Sequence, residues 1–220
     1  MAVATNPGAA RTRVPRAVRE EQMVKAATRI FAKRGYSSAS MEEIATASGI
    51  TKPMLYAYFG SKEGLYLACM ERGERALEAA VADAVVHERR ADLRLWRGLL
   101  AVFHFFDDNP DLFAIGYPTG PTSGLFVEAS ARGRASMAEL LTGLFVDSAV
   151  DAGVDPDAAR ESEPLAHALT GATIALLAWS ANRDEPRELQ ALRLMNFAWM
   201  GLGDLVRGEL WVPPAEEAAP

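Results

Sequence analysis

A single cysteine, Cys69, and three histidines are all that this 220-residue chain offers of the side chains that build disulfides and most metal centres. One thiol excludes an internal disulfide and fits a reducing cytosol. Cys69 shares an apolar helical stripe with Leu65, so a buried, inert thiol is expected. No Gly-rich phosphate loop, H-E-x-x-H or G-x-S-x-G occurs, and Gly120-Pro121 and Ser123-Gly124 read as loop chemistry. Catalysis is therefore not expected. His104 lies one turn from Asp107 and Asp108, a spacing that can bind a metal, but only His87 and His167 remain to complete a ligand set. A helix end with solvated acids before Asn109-Pro110 is the better reading, with no metal and no cofactor. Long apolar runs are also missing. The most apolar stretch, Leu169–Trp179, is too short to span a bilayer, and the N-terminus lacks the apolar core of a signal peptide, so a cytoplasmic protein is expected. No strand-period run, repeat or heptad array is present.

What is present is unevenly distributed. The whole chain is acidic, with 23 Lys/Arg against 29 Asp/Glu. Residues 1–62 nevertheless carry ten Lys/Arg and only four acids, leaving 13 basic and 25 acidic residues to the remainder. A polyanion-binding surface belongs in the first third, and nucleic acid is not expected elsewhere. Residues 1–15, small, basic and Pro/Gly-containing, read as a disordered arm. Arg11 and Arg13 either reach a minor groove or phosphates, or belong to a solvated tail.

Ser40–Lys62 carries the densest local grammar. Ser40 is followed three residues later by Glu43, the capping-box spacing of a helix start. Ile44 and Ala45 supply a narrow apolar face, and Gly49 ends the helix where a left-handed residue is wanted. Thr51 can cap a second helix with Pro53 in its first turn. Leu55 and Phe59, four apart, form the expected buried stripe of that second helix. Lys52, Met54, Tyr56 and Tyr58 lie on other faces, with Lys62 just beyond. Two short helices joined by a glycine turn form a helix-turn-helix, whose second helix enters the DNA major groove. The alternative is a tyrosine-rich helix packed on a neighbour, with each hydroxyl satisfied internally.

Arg16–Gly73 resembles the DNA-binding domain of TetR (tetracycline-repressor-like) transcriptional regulators. The matching residues are Ala26, Ala27, Phe31 and Gly35-Tyr36, then Ser40, Ile44, Ala45 and Gly49, then Leu55 to Phe59 and Ser61 to Leu65. Met54 stands where many relatives carry a small or polar residue. It leaves open whether this position hydrogen-bonds a base or packs on a thymine methyl. Ser40, Thr51, Tyr56, Tyr58 and Lys62 are expected on phosphates, and Lys52 with Met54 on base edges.

The remaining chain reads as helices. Val24, Ala27, Ile30 and Phe31 mark a first helix from Arg16 to Lys33. Leu65, Cys69, Ala76, Leu77 and Ala80 mark a helix from Ser61 to about His87, a mechanical link between head and body. Others are expected over 93–108, 111–115, 125–151, 157–182 and 187–208, with an irregular stretch at 116–124. The fold class is all-α: a three-helix, helix-turn-helix DNA-binding domain and a larger C-terminal helical ligand-binding and dimerisation domain. The expected divisions are a basic arm at 1–15, the DNA-binding domain at 16–62, the body at 63–210 and a flexible tail at 211–220.

The last two helices are apolar over more than one face and need cover on all sides. A second copy is the expected cover, through Leu169, Ala172, Ala175, Phe197, Met200 and Leu205. The TetR resemblance implies the same pairing, as a twofold four-helix bundle. Trp96, Phe103, His104, Phe106, Phe126, Met137, Leu141 and Trp179 either line a ligand cavity or are core, since aromatics at helical spacing fit both. The resemblance implies that the body holds an inducer, and a small, apolar effector is expected.

The chain thus reads as a ligand-responsive homodimeric repressor on a pseudo-palindromic, double-stranded operator, with itself, operator DNA and the effector as partners and no membrane. The alternatives are an activator of the same fold, or a helical small-molecule-binding protein or enzyme whose basic segment only docks a protein.

Overall fold

The computed structural model describes residues 15–117, 124–151, 162–181 and 183–206. The arm expected at 1–15 (save Pro15) and the tail at 211–220 lie outside these residues, as does most of the irregular stretch at 116–124. All regular elements among the described residues are α-helices, as the sequence pattern predicts. They form two compact units, residues 1–69 and 70–220.

In the first unit α1 spans Arg16–Ser38, α2 Met41–Ala47 and α3 Lys52–Phe59, and α4 (Lys62–Val85) contributes its first turns. α1 turns Met23, Val24, Ala27, Thr28 and Phe31 inward, one face of a 3.6-residue period. Gly35, at φ 73 and ψ 160, breaks the helical conformation where the sequence places the helix end. The chain resumes one further turn that brings Tyr36 against Phe31 at 5.9 Å, while Tyr66 meets both rings edge-on at 5.0 and 5.4 Å. Ile44, Leu55, Leu65 and Cys69 are fully buried in the same unit. Burying four such side chains contributes roughly 1.5–3 kcal/mol for each large aliphatic one.

Cys69 donates a hydrogen bond from Sγ to the Val24 carbonyl at 3.6 Å. Burial pushes its thiol up to about 12. Only the thiolate is nucleophilic, so a raised, fully buried thiol is unreactive in the folded unit. A thiol reagent such as dithionitrobenzoate is expected to label Cys69 only as fast as the protein unfolds. Labelling within minutes in the native protein would place the thiol outside the core.

In the second unit α4 continues, followed by α5 (Ala91–Asp108), α6 (Pro110–Gly116), α7 (Leu125–Asp151), α8 (Glu163–Ser180) and α9 (Arg187–Val206). α9 packs along α5, and α8 along α7. Leu77 and Val81 of α4, Leu99 and Phe103 of α5, Leu141 of α7, Leu177 of α8 and Leu194 of α9 share one core. Asn109 and Pro110 part α5 from α6: Pro110 at the first helical position of α6 loses no amide bond there. Arg187 at the start of α9 donates from Nε to Asp107 at the end of α5 at 2.6 Å. No helix among the described residues is long and apolar enough to cross a membrane.

Candidate nucleic-acid interface

The first of the two short helices is capped and closed as its sequence predicts. Ser40 Oγ accepts from the amides of Glu42 and Glu43 at 3.2 and 3.3 Å, satisfying two donors that α2 leaves open. At the other end the Gly49 amide donates to Thr46 and the Ile50 amide to Ala45, at 3.1 and 3.0 Å. This is a Schellman closure, and it requires the positive φ of 66° that Gly49 adopts. Thr51 follows in extended conformation and starts α3, but its hydroxyl makes no cap hydrogen bond. The expected side-chain cap is therefore absent, and the Thr51 side chain remains exposed at the helix start.

α3 rests on one anchor. Leu55 is fully buried, whereas Phe59, expected beside it, is only half-buried. The helix ends directly at Gly60 with φ 73, so no further turn exists to press Phe59 inward. Counting 100° per residue from Leu55 sets Pro53, Met54, Tyr56 and Ala57 outward. Pro53, Tyr56 and Ala57 are exposed and Met54 is half-buried. Pro53 and Ala57 were not among the expected contacts, although the same angular count identifies them. Their small, donor-poor side chains leave the outward face low between Met54 and Tyr56.

The polar candidates differ in what already holds them. Lys52 is exposed and lies 3.9 Å from Glu42, a weak surface pair that a phosphate or base could displace. Tyr56 is exposed, and Tyr58 is half-buried with the Arg16 guanidinium 5.0 Å from its ring centre. Ser40 has its oxygen engaged as an acceptor, which leaves its hydroxyl hydrogen to donate. Lys62 donates to the Ser37 carbonyl at 3.2 Å, with its ammonium 4.7 Å from the Tyr36 ring centre. Lys62 thus ties the start of α4 to the end of α1.

The candidates in the second unit separate into three places. Phe103, Met137 and Leu141 are buried in the core, with Trp96 half-buried against it. Phe106 borders a small cavity beside Tyr117. His104 and Trp179 face outward: His104 lies 3.4 Å from Glu188, and Arg183 covers the Trp179 indole at 3.8 Å from the ring centre. Among the residues expected at a subunit interface, Leu169 is buried, while Ala172, Ala175 and Phe197 join Trp179 along an open apolar groove of α8 and α9. The side chains of Phe126, Met200 and Leu205 lie outside those described. Among the described residues no three His, Cys, Asp or Glu side chains gather where a metal could sit.

The family model described as "Bacterial regulatory proteins, tetR family" matches residues 23–69, which hold the helix-turn-helix. A TetR-like transcriptional regulator of known structure from Rhodococcus sp. RHA1 is 31% identical, over 87% of this chain and 99% of that one, with a TM-score of 0.68. The transcriptional activator FasR of Mycolicibacterium smegmatis is 29% identical over 196 residues, covering 86% of this chain and 85% of its own. The structure of AibR, solved with isovaleryl coenzyme A and operator DNA, shares the fold at 20% identity, with a TM-score of 0.60 over 81% of this chain and 97% of that one. Capped α2, glycine turn, outward-facing α3 and likeness along most of the chain agree: the chain belongs to the TetR family and is a DNA-binding transcriptional regulator.

Proposed function

We propose that this regulator acts as a homodimer on a pseudo-palindromic operator and is released from it by a small effector held in the second unit. The observation that carries the proposal is the outward face of α3, where Pro53, Tyr56 and Ala57 are exposed beside Lys52 and the exposed Thr51. Two such faces related by a twofold axis match two half-sites, so an effector that changes their spacing weakens binding without touching a base. AibR, a relative by fold, was solved with an acyl coenzyme A and DNA together, which supports an effector in this architecture. In this reading the residues to 62 hold the DNA, and those from 63 to 210 hold effector and partner. No catalytic step is assigned to the chain.

Within the interface Lys52 and Met54 take base edges, and Ser40, Thr51, Tyr56 and Tyr58 take phosphates. Lys62 adds positive charge while bracing Ser37. Lys52→Ala is expected to relax discrimination at one base pair by about 1–3 kcal/mol. Lys62→Ala is expected to weaken all sequences alike and to flatten the salt dependence of binding. Mobility shifts on single-base operator variants across a salt series separate the two. A uniform loss with Lys52→Ala, at unchanged discrimination, would move that residue to the phosphates.

The sign of regulation is repression in this reading, through occupancy of a promoter. One observation favours activation instead, namely that FasR, similar along most of both chains, is named an activator. A reporter fused to the bound promoter, measured with and without the regulator gene, decides between them. Absence of any shifted DNA with the purified dimer would end the proposal altogether.

A further inference from the structure

In the second unit α4, α5, α6 and α7 border a cavity of about 30 Å³, room for one or two water molecules. Leu77, Phe106 and Ile115 give it an apolar wall, and Glu74, Tyr117 and Ser130 bring polar groups to it. Glu74 occupies the α4 stripe of Met70, Gly73 and Leu77, where an apolar residue would be ordinary. Its carboxylate lies directly on α7, because a Cβ at Gly133 would come within 2.8 Å of Oε1. The Ser130 hydroxyl is used, donating to the Gly116 carbonyl at 2.9 Å. The Glu74 carboxylate and the Tyr117 hydroxyl have no such partner among the described residues.

Both groups show the cost of this placement. Burial raises the Glu74 carboxyl above the usual carboxylate range; Glu78 and Glu71 add to the rise, while Arg132 on α7 and Arg75 on α4 oppose it. Burial, with the Glu74 charge beside it, pushes the Tyr117 hydroxyl up to about 12, against the opposing field of Arg134. A carboxylate half out of water, with no hydrogen-bond donor from the described protein residues, is stabilised most by a charged donor, since such bonds are about twice as strong as neutral ones. The residues after 62 carry 25 acids against 13 bases, a field that draws cations in.

We propose that this cavity receives the effector by a protonated amine, with Glu74 as its charge partner, the Tyr117 oxygen as second acceptor and the carbon body against Leu77, Phe106 and Ile115. The proposal deepens the effector-responsive reading above and rests on it. At its present size the cavity admits the head group alone. A longer carbon body requires α6 to part from α4, where Leu112 already lies 3.0 Å from the position of a Gly73 Cβ.

Butylammonium, 1-butanol and butyrate share a carbon chain and differ in charge, so they test the head group directly. They are titrated at fixed ionic strength and about pH 7.5 against the full chain without DNA, with binding read by ligand-observed NMR. Butylammonium is expected to bind at least about tenfold more tightly than butanol, and butyrate not measurably. Glu74→Gln, which keeps the shape, is expected to erase that preference, and Tyr117→Phe to reduce it several-fold. Equal binding of ammonium and alcohol by the wild-type protein overturns the proposal. So does a preference for butyrate, or an undiminished ammonium preference in Glu74→Gln. Operator mobility shifts with butylammonium run alongside. Discrimination among the three probes with no DNA bound at all supports the site and overturns the operator reading. Ammonium binding that leaves operator affinity unchanged supports the site and overturns its link to release.

Discussion

Phe31→Ala is expected to lower the stability of the first unit by about 3–5 kcal/mol and to abolish operator binding at physiological temperature. Phe31 is 2% exposed, and its ring meets those of Tyr36 and Tyr66. It therefore holds the end of α1 to the start of α4. Removing it leaves a cavity bordered by two aromatic rings, Tyr36 stacked on it and Tyr66 edge-on to it, which both lose a partner. A typical domain has only about 5–15 kcal/mol of stability to lose. Urea melts followed by circular dichroism, with operator shifts at each concentration, measure both effects. A melt within about 1 kcal/mol of wild type would show that the cluster is not central to the unit. Phe31→Leu, which refills most of the volume, should recover DNA binding.

The second large effect concerns assembly. Phe197→Asp is expected to convert the proposed dimer to monomer at micromolar concentration. Phe197 is 74% exposed, and Trp179, Leu192 and Leu189 are also exposed on α8 and α9. Such a patch is a protein-contact surface more often than bare exterior. A carboxylate there would be buried against apolar surface, and Arg193, which lines the same groove, is already paired with Glu185 at 2.6 Å, so the change costs several kcal/mol. Two linked heads gain about 10²–10⁴ in apparent affinity over one, so operator binding should fall by a comparable factor. Sedimentation velocity gives the mass, and a dimer that survives Phe197→Asp would move the interface to another face.

The head was legible because its information is local. Ser40, Gly49 and Pro53 each act within one turn of their own position, and the structure uses all three at the expected places. Gly35 is similar: the break it predicts occurs, even though one more turn follows. Legibility fell where a residue's surroundings come from distant chain. Ala76 and Ala80 fit the apolar stripe expected on α4, yet Ala76 is exposed, and Tyr66, Met70 and Val81 take the buried positions. A helix that supplies two cores need not keep one straight stripe. Phe103 and Trp179 look alike as aromatic residues on helices. One is fully buried and the other half open, a difference set by which helix lies across each. The cavity at Glu74 did leave a sign in the sequence, an acid in register with Met70 and Leu77. Its meaning depended on Gly133 and Tyr117, brought there by α7 and α6.

The core of the first unit does not end with its last reading helix. Leu65, Tyr66 and Cys69 belong to α4 and are buried with residues of α1. Anyone wishing to transplant this operator specificity onto another sensor body must therefore carry the chain through Cys69. A splice after Lys62 would export the reading face without the three side chains that keep it in shape. A splice beyond Cys69 makes the first turns of α4 part of the cargo, and the modular unit of such chimeric regulators becomes three helices and a fraction.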